Sequence, residues 1–314
     1  MNGIPFDHTM TARKLRLAGW LELNAHSVFE FMFNKGLLKM QNSAFKMQPE
    51  WRLSPAPSIK HAVPIISDNL VDMLAAGEVT SVHGIKKAIG PNEVEFLDGT
   101  VVEVDTIIYC TGYKTDFAII DSSVDPTRNT TPEWAASVGS KGKHLPRLYK
   151  GIISLDHPKS LAFMGNVAFA TGAFPLYDLA SMALAQIWKG NTALPSLAEI
   201  NQSVDVHHAW MCSIAREGPV PPGWVRQADW LAWANDAAGT GINEKLGWGA
   251  EGWRFWMSDR AWCDTLMDGI LSPHIYRLFE GKRKRWDGAR QEIEKVNQRA
   301  AERKQMLGKA AEKD

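Results

Sequence analysis

Residues 98–117 read D-G-T-V-V-E-V-D-T-I-I-Y-C-T-G-Y-K-T-D-F, and the order of these residues decides the fold class. Asp98-Gly99 lies between the alternating runs Glu93–Leu97 and Val101–Val104, and Asp-Gly flanked by alternation is the strongest short-range hairpin signal. Thr106-Ile107-Ile108-Tyr109 then follows Asp105 as an uncharged, largely β-branched run, the pattern of a strand covered on both faces in an α/β sheet. Cys110-Thr111-Gly112 ends that strand with small residues. Small side chains there let the backbone approach a neighbour or a ligand, and open α/β sheets bind ligands at such strand ends.

Composition sets the outer bounds. A chain of 314 residues has room for two domains, or for one with a large extension. With 45% hydrophobic and 22% charged residues it reads as globular. Lys plus Arg and Asp plus Glu balance at 35 each, so no global charge draws the chain to nucleic acid or to an anionic membrane. Three cysteines, Cys110, Cys212 and Cys263, form no C-x-x-C pair and no even framework, which argues against disulfides and against a zinc site. The expectation is a reducing, cytoplasmic setting without a secretory signal or lipidation site.

Along the chain, apolar residues from Leu15 to Phe33 recur at helical spacing, predicting one or two helices over 11–35 with Gly36 as the stop. Residues 49–64 hold four prolines and read as an irregular connection, with Trp51 and Leu53 packing it down. Ser67-Asp68 caps a short helix through Ala76, closed by Gly77. Val79–Val82 reads as a strand and Gly84–Pro91 as a turn-rich connection to the hairpin. Residues 121–144 read as a polar surface excursion, followed by two strands, 148–153 and 160–166, around a turn at Asp156-His157-Pro158.

The run from Leu161 to Trp188 carries one charge, Asp178. Gly165, Asn166, Gly172 and Pro175 break it into a strand, a glycine-bearing loop and a helix of about fourteen residues, too short to span a bilayer. Pro175 suits the first turn of that helix and Gly190 its end. A helix N-terminus there presents unpaired N–H groups to an electron-rich ligand. A strand packed on a helix with no ligand is the competing reading.

Leu194-Pro195-Ser196 caps a further helix, and from Leu197 to Asp314 the pattern is helix and loop. Eight of the 13 tryptophans, Trp210 to Trp262, lie there, and for Trp248, Trp253 and Trp256 core packing is favoured over a substrate cavity. His207-His208 has no metal-ligand partner at a recognisable spacing, and adjacent residues do not share a helix face. The charged tail from Glu280, with Lys282-Arg283-Lys284-Arg285, reads as a solvated terminal helix rather than a nucleic-acid patch.

The hairpin, buried strand and C-T-G-Y ending resemble the A-T-G-Y segment of the flavin-containing monooxygenase family and the related Baeyer–Villiger and N-hydroxylating enzymes. The resemblance extends upstream through P-I-I-S-D-N-L at residues 64–70 and downstream through L-Y-K-G-I-I at 148–153 and S-L-A-F-M-G at 160–165. It implies an incomplete form of the two-dinucleotide-binding-domain α/β fold with a mainly helical extension. Residues 1–110 would be the remainder of the NADP-binding domain, 111–196 the returning part of the FAD-binding domain, and 197–314 the Trp-rich extension with its charged tail. It also implies FAD and NADPH as cofactors. Thr111, Gly112 and Tyr113 would bring backbone near FAD, and Gly165, Asn166, Gly172, Ala173 and Phe174 would contact its flavin end.

The reaction so implied passes electrons from NADPH to FAD and one oxygen atom from O₂ to the nitrogen, sulfur or carbonyl carbon of a small organic substrate. Two departures bear on it. No strand followed by a G-x-G-x-x-G turn, as the family carries twice, is read in this chain, nor is its F-x-G-x-x-x-H fingerprint, so no catalytic residue is assigned. The helix after Pro175 reads D-L-A-S-M-A where relatives carry E-x-Q-A-R-W, which removes the polar contacts of that Gln and Arg. Two readings follow: a truncated monooxygenase-family protein, or a non-catalytic remnant that binds a partner. The partner is either a second copy in a homo-oligomer or a complementing N-terminal half.

Overall fold

The computed structural model describes residue 8 and residues 10–62, 65, 67–110, 116–168 and 173–311, with residues 173, 174 and 308–311 described as backbone only. Thr11 opens the first helix by accepting the Lys14 N–H on its Oγ1 at 3.3 Å, and α1 runs Ala12–Asn24. The next helix, α2 (His26–Ala44), passes straight through the expected stop at Gly36. One interior glycine costs only about 1 kcal/mol against alanine, and the half-buried Leu37 and Met40 carry the helix on. The proline-rich connection is irregular as read, with Trp51 and Leu53 half-buried. Ser67 Oγ accepts the Leu70 N–H at 3.1 Å to start α3 (Leu70–Ala76), and Gly77, at φ +76°, ends it.

The hairpin forms where the Asp-Gly pair puts it. Strands β1 (Ile85–Ala88), β2 (Glu93–Phe96) and β3 (Val101–Glu103) make an antiparallel sheet in that order, with Val94 opposite Val102 and Gly99 at φ +85°. The first strand lies at Ile85–Ala88, not at Val79–Val82. Gly90-Pro91-Asn92 makes a tight turn closed by the Ile89 N–H to the Glu93 carbonyl at 3.0 Å, so the residues just before it pair with β2. The strand expected at Thr106–Tyr109 does not form, and Ile108 and Tyr109 are 79% and 80% exposed. A strand covered on both faces needs neighbours in its own sheet, and no described strand lies beside these residues. Cys110, read as a packing residue, is exposed as well.

The segment 121–144 is exposed over much of its length, as read, but it is anchored into the molecule. A short helix, α4 (Pro132–Ala135), carries Trp134, which is fully buried and donates its indole N–H to the Lys143 carbonyl at 2.7 Å. Trp134 centres a small core with Leu145, Met211, Cys212, Val220 and Trp224. The two strands expected around Asp156 shrink to single bridges, Tyr149 with Ile153 and Ile153 with Ala162. Ser154 N–H to Leu161 (3.1 Å) and Phe163 N–H to Ile152 (2.7 Å) extend the second.

The main core lies between helices. Helix α5 (Ala173–Trp188) packs against α7 (Gln227–Ala238) through residues with no exposed surface, Leu179, Ala180 and Ala183 on one side and Ala234 and Ala238 on the other. Between them in sequence, α6 (Leu197–Ala215) starts at Ser196 with the predicted cap, reinforced by a reciprocal bond with Glu199. Four further helices follow: α8 (Ile242–Lys245), α9 (Ala250–Ser258), α10 (Arg260–Asp268) and α11 (Ala289–Ala311). Trp248 and Trp253 are not core residues, being 82% and 53% exposed. The buried position of α9 is Gly252, where a Cβ would meet the Gly247 carbonyl at 1.9 Å, so that close contact turns the indoles outward. The charged tail is anchored rather than wholly solvated: Ala289 and Ile293 enter the core and Lys282 bonds Thr192 Oγ1 at 2.7 Å. Among the described residues no helix is long and apolar enough to cross a membrane.

Removing the Trp134 side chain leaves a large void and an unpaired Lys143 carbonyl. Trp134→Ala is expected to cost about 3–5 kcal/mol in urea unfolding, whereas Ser196→Ala, which loses only a cap, costs about 1 kcal/mol.

Candidate functional site

The glycine-bearing loop is held from three sides. Asn166 Nδ2 donates to the Gly151 carbonyl at 3.3 Å, the Ala168 N–H donates to the Gly223 carbonyl at 2.7 Å, and Tyr177 OH donates to the carbonyls of Val167 (2.8 Å) and Gly165 (3.3 Å). Gly223 must be glycine here, since a Cβ would fall 1.8 Å from the Asn166 carbonyl oxygen. Gly165 differs. It sits at φ +89°, a Cβ there would meet no atom of the described residues within 4 Å, and its neighbour Met164 is 45% exposed. Residues 165–168 of the loop are therefore braced on the protein side and, among the described residues, open at Gly165, a surface on which a flat ligand can meet backbone.

Of the residues expected to touch cofactor, Gly165 and Asn166 lie together in this loop. Ala173 and Phe174 form the first turn of α5, with Pro175 third in the helix. Thr111, Gly112, Tyr113 and Gly172 lie outside the described residues. Phe117 packs edge-on to Phe163 at 5.4 Å, so the chain resumes beside the loop after residue 115. Asn166 spends its amide on Gly151, which makes it a positioning residue. Tyr177 was missed in the sequence; a single hydroxyl one turn into an apolar helix was the available signal.

His207 and His208 fall on different faces of α6, as adjacent helical residues must. His208, however, has partners that the linear spacing concealed. Cys212, one turn on, places Sγ 3.7 Å from His208 Nδ1, and Glu133 from α4 brings the ligating atoms of all three within 4.8 Å of one another. Thr131 Oγ1 lies 2.9 Å from His208 Nε2. Arg216 bonds Glu133 at 2.6 Å, and its charge and that of Arg147 oppose a bound cation. Burial pushes the Cys212 thiol up and the His208 imidazole down, so both stay neutral as a packing contact. His207 is pushed down to about 4, first by burial and then by the charges of Arg226, His208 and Lys150.

Comparison with known proteins places the chain among flavoproteins. The family model for flavin-binding monooxygenase-like proteins matches residues 1–313. Monooxygenase aurF of Gibberella zeae is 44% identical over 297 residues, covering 95% of this chain and 56% of that protein. Flavin-containing monooxygenase 3 of Macaca mulatta is 25% identical over 300 residues, covering 93% of this chain and 49% of its own length. The chain thus spans about half the length of the curated relatives it matches. Among solved structures, S-allyl-L-cysteine S-oxygenase from Allium sativum gives a TM-score of 0.39 at 22% identity over 67% of this chain and 43% of its own, a likeness too slight to argue from.

Two measurements test the site's physical description. Tyr177→Phe removes the one hydroxyl proton shared between the Val167 and Gly165 carbonyls and is expected to cost about 1 kcal/mol in urea unfolding, with faster amide exchange at Gly165–Val167. For His207, the unfolded chain takes up a proton near pH 6.5 and the folded one only near 4. Stability is therefore full above about pH 6.5 and falls as pH drops towards 4, by up to about 2 kcal/mol between pH 7 and 5. His207→Gln should remove that part of the slope.

Proposed function

The chain belongs to the flavin-binding monooxygenase-like family, and from that premise we propose that it supplies the flavin-facing loop of an FAD- and NADPH-dependent monooxygenase. The substrate class is a small organic molecule oxygenated at nitrogen, sulfur or carbonyl carbon. The observation that carries this reading is Gly165: a left-handed backbone position with open space above it, braced from behind by Tyr177 and Asn166 and followed by helix α5. Bound FAD would supply the oxygen-activating chemistry, with electrons from NADPH.

This chain's residues then act by placement. Gly165 lets backbone approach the ring system, Asn166 fixes the loop's height through Gly151, and the start of α5 at Ala173 and Phe174 offers N–H groups to electron-rich atoms. Thr111, Gly112, Tyr113 and Gly172 are assigned to the same cofactor surface on family pattern alone. Residues 1–110 and 111–196 are assigned to the NADP- and FAD-binding domains, and the protein to a cytoplasmic setting. The G-x-G-x-x-G match in this sequence, residues 247–252, runs into helix α9 from the α8 segment and follows no strand, so it is not assigned the pyrophosphate grip that such turns provide after a strand.

One observation favours the second reading, a non-catalytic chain that pairs with a complementing half. Ile107, Ile108 and Tyr109 are exposed and, among the described residues, no strand pairs with them, an edge that invites strand addition.

Reconstitution separates the two. The chain is mixed with FAD, alone and with the N-terminal half of a full-length relative, and retained flavin is read from the visible spectrum after desalting. Retention with the half present, lowered at least tenfold by Gly165→Asn, is the expected result; asparagine tolerates the left-handed conformation while filling the open space. Stable pairing of the halves without flavin uptake would instead establish the non-catalytic reading.

A further inference from the structure

The Lys150-Gly151 turn that holds Asn166 also lines a cavity of about 160 Å³ against α6 and the start of α7. Its inner wall is the buried indole of Trp230, with Trp210 and three valines completing the apolar surface. Lys150, Arg226 and His207 reach the same space. Among the described residues neither Lys150 nor Arg226 has an ion-pair partner. The Lys150 amine lies over the rings of Tyr149 (5.6 Å) and Trp233 (5.8 Å), and the Arg226 guanidinium over Trp210 (5.2 Å). The His207 ring lies 5.5 Å from that of Trp210.

A surface cation–π contact is worth about 0.5–1 kcal/mol, less than a charge-assisted hydrogen bond to an anion at about 1.5–3 kcal/mol. Ring contacts alone therefore leave these cations with binding capacity to spare. Burial lowers the Lys150 pKa, the mark of an amine that no carboxylate compensates fully. The opposing charges are few. Asp229 is the one carboxylate lining the cavity, and Glu22 of α1, close to Arg226, is pushed towards its neutral form by burial. Arg226 and Asp229 are exposed at the mouth, while Trp230 closes the far end, so a ligand can enter with its charged group left near the rim.

We propose that this cavity binds a small aromatic carboxylic acid, with Lys150 and Arg226 gripping the carboxylate and Trp210 and Trp230 flanking the ring. His207, neutral at pH 7, supplies a hydrogen bond to a polar substituent on that ring. The volume admits a single ring of benzoate size. The site uses no cofactor, so its test is separate from that of the flavin reading.

Isothermal titration calorimetry of the full chain at pH 7 with benzoate, benzamide, acetate and inorganic phosphate tests it. Benzoate is expected to bind at least tenfold more tightly than the other three. Lys150→Met should weaken benzoate binding at least tenfold with an unchanged far-ultraviolet spectrum, and the surface control Lys189→Met should leave it unchanged. Val206→Trp, which fills the cavity from its exposed side, should abolish binding and serves where Lys150→Met fails to fold. Benzamide binding as tightly as benzoate would overturn the ionic grip, and acetate or phosphate binding as tightly would overturn the aromatic one. No benzoate binding at 10 mM, on the order of 3 kcal/mol of association free energy, would remove the site altogether.

Discussion

The Lys150-Gly151 turn ties the parts of this molecule together. Both residues have positive φ, +54° and +74°, and the chain reverses so sharply that Tyr149 pairs with Ile153. Each carbonyl at the bend then has one outside donor: Trp230 Nε1 reaches Lys150 at 2.9 Å and Asn166 reaches Gly151 at 3.3 Å. One bond comes from α7 and the other from the candidate cofactor loop. A side chain at Gly151 would lie 2.8 Å from Val167 Cγ2, so the loop is seated on the turn by contact as well as by hydrogen bonding. Lys150 occupies a conformation that costs a non-glycine residue about 1–2 kcal/mol. Ile152 and Ile153, both without exposed surface, stabilise the fold by more than that.

Small residues set the distances around this turn. Alanines lie buried between α5 and α7, and α1 meets α7 closely where Gly19 faces Ala228, since a Cβ there would be 2.6 Å away. Arg13 then clamps α1 to α10 through a bidentate bond to Asp268 at 2.7 and 2.8 Å. That ion pair is half-exposed on both sides and contributes little by itself. The close approach is what buries Trp230, Ile242 and Leu246 in one core, and the clamp fixes its register.

Local signals in the sequence translated well. Thr11, Ser67, Ser196, Gly77 and the Asp98-Gly99 hairpin act where they stand, because caps and tight turns are decided by a handful of adjacent residues. Gly165 and Asn166 share one loop because they are adjacent in sequence, and their cofactor contact belongs to the proposal above. What failed depended on distant contacts. Trp134 looked like part of a polar loop until its burial among Met211 and Trp224 became visible, and Trp248 and Trp253 looked like core until Gly252 proved to be the contact face. The Glu133, His208 and Cys212 cluster combines an i, i+4 pair, which the reading of the sequence passed over, with a residue 75 positions away, which only the fold brings near.

The contrast between the hairpin and Thr106–Tyr109 follows from the same distinction. A three-stranded antiparallel meander finds every partner within some twenty residues, and turn chemistry fixes its register. A strand covered on both faces has no such local rescue: its neighbours arrive by crossover from remote sequence. Burying an isoleucine is worth about 1.5–3 kcal/mol, and Ile107 and Ile108 forgo it here, as do Phe31 and Met32 on α2, a helix with no buried residue. The chain spans about half the length of the relatives it matches. The strand edge and the amphipathic helix thus stay exposed among the described residues, whereas the α5–α7 core closes on itself through side chains that the helices themselves supply.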